Sequence, residues 1–94
     1  MSIHEQAVQI LGPSERIAKL RRELAEAVNM IDRLDEGKAT PDEVIDELFD
    51  VLYVARSLQY IDGWSRYNVR EQAAHSIGAE RKLMSAIEAK GVAA

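Results

Sequence analysis

Between Ile17 and Leu34 apolar residues return every three or four positions. Ile17, Leu20, Leu24, Ala27, Val28, Ile31 and Leu34 fall within about 120° of one another at 100° per residue. This spacing predicts an amphipathic helix from Ser14, its candidate N-cap, to about Asp35, with the stripe as its core face. Gly12-Pro13 punctuates the chain before it, and Ser2 to Leu11, with Ala7, Ile10 and Leu11 apolar, reads as a short leading helix. Beyond a connection at Glu36–Ala39, the run Thr40-Pro41-Asp42-Glu43 is a capping box with proline at the first helical position. The helix it opens is expected to continue to about Asp62 and to stop at Gly63. Its second half, Val51 to Ala55 with Leu58 and Ile61, is apolar around much of its circumference, which predicts burial on two sides, by its own subunit and by a partner. A fourth helix is expected from about Tyr67 to Ala89, with Gly78, which costs about 1 kcal/mol relative to alanine, as a candidate kink or break.

Composition turns these elements into a fold class. A chain of 94 residues, 47% hydrophobic, suffices for one domain over residues 1–94, although a domain of this size buries only about two-thirds of its unfolded surface. Five aromatic residues and abundant Ala, Leu, Ile, Glu and Arg favour helix over sheet. The expectation is all-α: a compact bundle of about four helices, completed by oligomerisation into a homodimer or homotetramer. The absence of cysteine excludes a disulfide framework, thiolate chemistry and zinc fingers. No apolar run approaches the roughly 18 residues of a membrane span, and Met1 to Leu11 mixes acidic and polar residues in place of a basic signal-peptide start, so a soluble cytoplasmic protein is expected. The net charge is −4 with basic residues scattered among acidic ones, which argues against a nucleic-acid polymer as partner. A small anionic substrate remains compatible if metal ions invert the local field.

The candidate chemistry lies in the acids. Glu23 with Glu26, and Glu47 with Asp50, are pairs three residues apart, so each pair points to one side of its helix. Glu23 lies about 80° from the centre of the apolar stripe, at the core boundary, and Glu26 about 140° away, towards water. Any single pair is compatible with an ordinary solvated helix surface. Yet Asp46, Glu47 and Asp50 have no lysine or arginine three or four positions away, and uncompensated like charges at this spacing destabilise a helix. Two such helices side by side would converge hard oxygen ligands suited to Mg²⁺ or Mn²⁺.

The stretches Lys19-Leu20-Arg21-Arg22-Glu23-Leu24-Ala25-Glu26-Ala27 and Asp46-Glu47-Leu48-Phe49-Asp50-Val51-Leu52 together resemble the MazG-like nucleoside triphosphate pyrophosphohydrolases, whose signature is EExxE followed by ExxD. Glu23 and Glu26 match the second and last acids of the first motif, and Glu47 and Asp50 match the second motif after twenty intervening residues. Arg22 stands where the family has its first acid. The likeness extends over roughly residues 5 to 62. It implies an oligomeric, magnesium-dependent enzyme that hydrolyses a nucleoside or deoxynucleoside triphosphate to monophosphate and pyrophosphate. It also implies that Glu23, Glu26, Glu47 and Asp50 hold the metal, one of them orienting or deprotonating water.

Cations that would face phosphate are Lys19 and Lys82, ahead of Arg22 and Lys90, although surface solubility accounts for any one of them more simply. His4 and His75 have no second histidine or cysteine at ligand spacing, which assigns them to surface or packing. Trp64 and Tyr67 are expected to seal the end of the bundle, with stacking on a base as the alternative, and Asn29 and Asn68 are possible readers of a base edge. Three rival readings stand beside the pyrophosphohydrolase. One is a non-catalytic helical oligomer acting as an interaction protein; another is a phosphoribosyl-ATP pyrophosphohydrolase, whose typical glycine and histidine near the acid motifs are missing. The third, a helical chorismate mutase, needs converging cations where this chain clusters acids.

Overall fold

The computed structural model describes residues 1–93 and contains, among them, helices and turns only. Four α-helices follow one another: α1 (Ile3–Leu11), α2 (Pro13–Asp35), α3 (Pro41–Ala55) and α4 (Val69–Ala93), with a 3-10 turn at Arg56–Tyr60 directly after α3.

Local chemistry sets most boundaries. The Ser2 hydroxyl accepts the Glu5 N–H at 3.1 Å and caps α1. Gly12 closes α1 and also opens α2 at φ 92°, a conformation that favours glycine, with Pro13 at the first helical position. Ser14, the expected N-cap, therefore lies inside the first turn, because Pro13 already has the fixed φ that starts a helix. At the other end Lys38 N–H donates to the Arg33 carbonyl and Gly37 N–H to that of Leu34, a Schellman closure with Gly37 at φ 73°. The capping box of α3 is as expected: Thr40 Oγ1 accepts the Glu43 N–H at 3.3 Å, while Glu43 Oε1 accepts the Thr40 N–H at 3.1 Å.

The third helix does not run to Asp62 as one α-helix. It tightens at Arg56 into the 3-10 turn, where Ser57, with no exposed surface, donates its hydroxyl to the Val54 carbonyl at 2.8 Å. Three residues per turn then stack Ala55, Leu58 and Ile61 on one side. With Val8 of α1 they form the buried cluster against which Ile17 and Leu20 of α2 pack.

The short connection folds α3 back along α2, and this pair shares the largest helix–helix contact of the chain, with Ala27, Val44 and Val54 buried. The α2 stripe is only partly a core face: Leu24, Val28 and Ile31 remain exposed, whereas Glu23 and Ala27 are buried and Met30 and Leu34 half-buried. On α3, Ile45, Leu48, Phe49 and Leu52 are exposed as well. At 100° per residue, and with the helices antiparallel, these two sets emerge on the same side of the hairpin, while Glu26, Asp46 and Asp50 emerge on the other.

The fourth helix is uninterrupted at Gly78 and packs against none of the other helices. Its Ile77, Leu83, Met84 and Ile87 are exposed. The radius of gyration, 17.2 Å, exceeds the roughly 12 Å of a compact chain of this length. The four expected helices are present, and the first three build the packed body.

Candidate functional site

The α2–α3 pairing brings three of the four predicted acids together. One carboxylate oxygen from each of Glu23, Glu26 and Glu47 lies within 4.8 Å of the others. Glu23 is buried at 5% exposure, Glu47 is half-buried and Glu26 is exposed, so the group opens to solvent on the Glu26 side. Asp50 is exposed and outside this trio, one turn beyond Glu47, yet close enough for its charge to act on the Glu47 carboxyl.

Two oxygens in this group are buried without any hydrogen-bond partner: Glu23 Oε2 and Glu47 Oε2. Burial of a carboxylate oxygen without a partner is costly, and native structures keep such groups few. The other Glu23 oxygen, Oε1, lies 2.7 Å from the Lys19 ammonium one turn earlier. That contact, opposed by desolvation, holds the Glu23 carboxyl below its ordinary value. Glu47 shifts in the opposite direction: desolvation first, then the charges of Glu26, Asp50, Glu23 and Asp46, raise its pKa. Three carboxylates, with one ammonium in contact and the Arg22 charge acting on Glu23 as a smaller influence, make a cluster of mainly negative groups.

The donor set fits a hard divalent cation. All its atoms are carboxylate oxygens, they belong to two helices fixed against each other, and two of the three residues, Glu23 and Glu47, each carry a buried oxygen without a protein partner. Magnesium is usually held by one or two carboxylates together with waters and substrate phosphates, so three acids open on one side are sufficient.

Of the remaining candidates, Lys19 touches the group, and Lys82, Asn68 and His4 lie elsewhere. Lys19 is engaged with Glu23, a pairing that its i, i+4 spacing signals in the sequence. Lys82 is exposed on α4, which packs against no other helix, so a single chain does not bring it to the acids. Asn68 is occupied as the cap of α4, its Oδ1 accepting the Glu71 N–H at 2.9 Å and its Nδ2 donating to the Ser65 carbonyl. His4 packs edge-on against Tyr53 with ring centroids 4.8 Å apart. Burial, followed by the nearby Arg56 and Arg16 charges, lowers its pKa.

Trp64 and Tyr67 do not seal the bundle. They stay partly exposed and line an open cleft of about 500 Å³ between the Gly63–Asn68 loop and the start of α4, together with Glu71, Gln72 and His75. None of the three acids lines this cleft. The acids outweigh it as a site of chemistry because their buried oxygens lack partners, whereas the cleft's Asn68 is already satisfied. Comparison of the chain with family models, with curated proteins and with solved structures yields no match.

Proposed function

We propose that this chain is a magnesium-dependent nucleotide pyrophosphohydrolase, active as a homodimer or homotetramer, that converts a nucleoside or deoxynucleoside triphosphate to its monophosphate and pyrophosphate. The observation that carries this reading is the pair of buried, unpartnered oxygens, Glu23 Oε2 and Glu47 Oε2, in a three-carboxylate group formed by two helices. The resemblance of Arg22–Glu26 and Glu47–Asp50 to the EExxE and ExxD motifs supplies the reaction class.

On this reading Glu23, Glu26 and Glu47 hold Mg²⁺, or Mn²⁺ in its place, and Asp50 borders the site from the next turn of α3. When bound, the ion offsets phosphate charge and acidifies water. Water adds to phosphorus and the bridge between the α- and β-phosphates breaks, so that pyrophosphate leaves. Glu26, on the solvent side, faces incoming substrate, and one of the site's carboxylates orients or deprotonates the attacking water. The exposed apolar side of the hairpin supports self-association.

The rival reading, a non-catalytic interaction protein, draws on Arg22 in the first acid position and on Lys19 already occupying Glu23. Thermal melting separates the two. Mg²⁺ with a non-hydrolysable α,β-methylene triphosphate should raise the melting temperature of the wild type; ligand at about 100 times its Kd contributes roughly 2.7 kcal/mol. Glu47→Ala should abolish the shift. No metal-linked or nucleotide-linked stabilisation of the wild type would favour the interaction protein.

A further inference from the structure

We propose that Lys19 is a built-in competitor of the divalent cation: its ammonium holds Glu23 Oε1 in the metal-free protein and gives way when the ion enters. This rests on the reading of Glu23, Glu26 and Glu47 as a metal site. Lys19 Nζ lies 2.7 Å from Glu23 Oε1, with the lysine side chain 39% exposed and the glutamate side chain 7% exposed. The two ends of the bond therefore differ in freedom. The carboxylate is fixed between α2 and α3, whereas the ammonium ends a flexible four-carbon stem that reaches solvent.

Helix energetics does not account for the contact. Lysine preceding glutamate at i, i+4 is the poorer order, since the reverse agrees with the helix dipole. What favours the bond is the buried carboxylate itself, whose second oxygen has no partner. A cation coordinated by Glu23 lies beside the ammonium, in a partly desolvated place where like charges repel strongly. Ion entry thus displaces Lys19 or is weakened by it. Three carboxylates alone would bind the ion more tightly than this chain does.

The test is titration with Mn²⁺ alone, followed by water-proton relaxation, on the wild type, Lys19→Met and Lys19→Arg. Lys19→Met keeps most of the stem and removes the charge, so its Kd for Mn²⁺ should fall about tenfold, equivalent to roughly 1.4 kcal/mol. Lys19→Arg keeps the charge and should stay near the wild-type value. Without metal, Lys19→Met should melt below the wild type, because Glu23 loses its partner, and saturating Mn²⁺ should close that gap. Lys19→Gln, which retains a donor for Oε1 without charge, must show the same tightening and serves if Lys19→Met does not fold. Equal or weaker Mn²⁺ binding by the uncharged variants, with the wild type binding, overturns the competition and leaves the metal site standing. Absence of Mn²⁺ binding by every variant and the wild type overturns the metal site and the competition together.

Discussion

At the scale of single residues, the pKa of Glu23 is lowered and that of Glu47 raised from the ordinary carboxylate value, and this separates their effects on the fold. The lowered pKa of Glu23 means that its stabilising contribution is present above the ordinary carboxylate value and is lost as pH falls through its folded pKa. The raised pKa of Glu47 has the opposite sign: its favourable protonated form is retained below the ordinary value and is lost as pH rises through the folded pKa. Glu47→Gln should therefore stabilise the metal-free protein near pH 8. The gain should shrink towards pH 4, where the wild-type carboxyl carries its own proton. Urea midpoints at the two pH values check this, and a variant less stable than the wild type at pH 8 would contradict it. The boundary position of Glu23 was legible in the sequence, because it follows from the angle to the apolar stripe. That Asp50, expected in the same group, stands outside the trio was not legible, since it depends on how far α3 slides along α2, which no single-helix periodicity records.

At the scale of elements, capping chemistry was legible and backbone tightening was not. Thr40 and Glu43 cap α3 reciprocally, as their spacing dictates, and that cap fixes the start of the helix carrying Glu47. Thr40→Ala should cost about 1 kcal/mol, with a correspondingly lower urea midpoint; no change would mean that the cap does not hold this helix start. The 3-10 turn at Arg56–Tyr60 carries no mark in helical periodicity, and the Ser57 hydroxyl within it is buried only in the packed chain. Ser57 resembles any helical serine until its contact with the Val54 carbonyl is visible. Gly78 illustrates the converse: a feature that raises the cost of a helix without ending it. A methyl group there would meet nothing within 4 Å. Gly78→Ala should therefore stabilise α4 by up to about 1 kcal/mol, visible as higher helical ellipticity on mild heating, and lower helicity would contradict a continuous α4.

At the scale of the whole molecule, apolar residues among those described stay uncovered on one side of the α2–α3 hairpin, at Ile3, Ile10 and Leu11 of α1, and at the Ile77, Leu83, Met84 and Ile87 positions of α4. The sequence indicated two-sided burial of α3, and within one chain the second side is open. Which surface closes on which is not written in helical periodicity, since each suits any apolar counterpart. If self-association covers the hairpin, the sedimenting mass should be a multiple of 10.5 kDa, and Phe49→Glu should lower it. A wild type that sediments as a single chain at micromolar concentration would contradict the proposed oligomer.

The proposed activity places pyrophosphate release at the acids formed by α2 and α3. Its most direct test is chromatographic product analysis with Mg²⁺ and a panel of common and modified nucleoside triphosphates, the wild type run beside Glu47→Ala. The account predicts monophosphate and pyrophosphate in equal amounts from at least one substrate, with removal of Mg²⁺ or of the Glu47 carboxylate abolishing both. Intact triphosphates throughout, release of diphosphate and orthophosphate instead, or undiminished turnover by Glu47→Ala would contradict it.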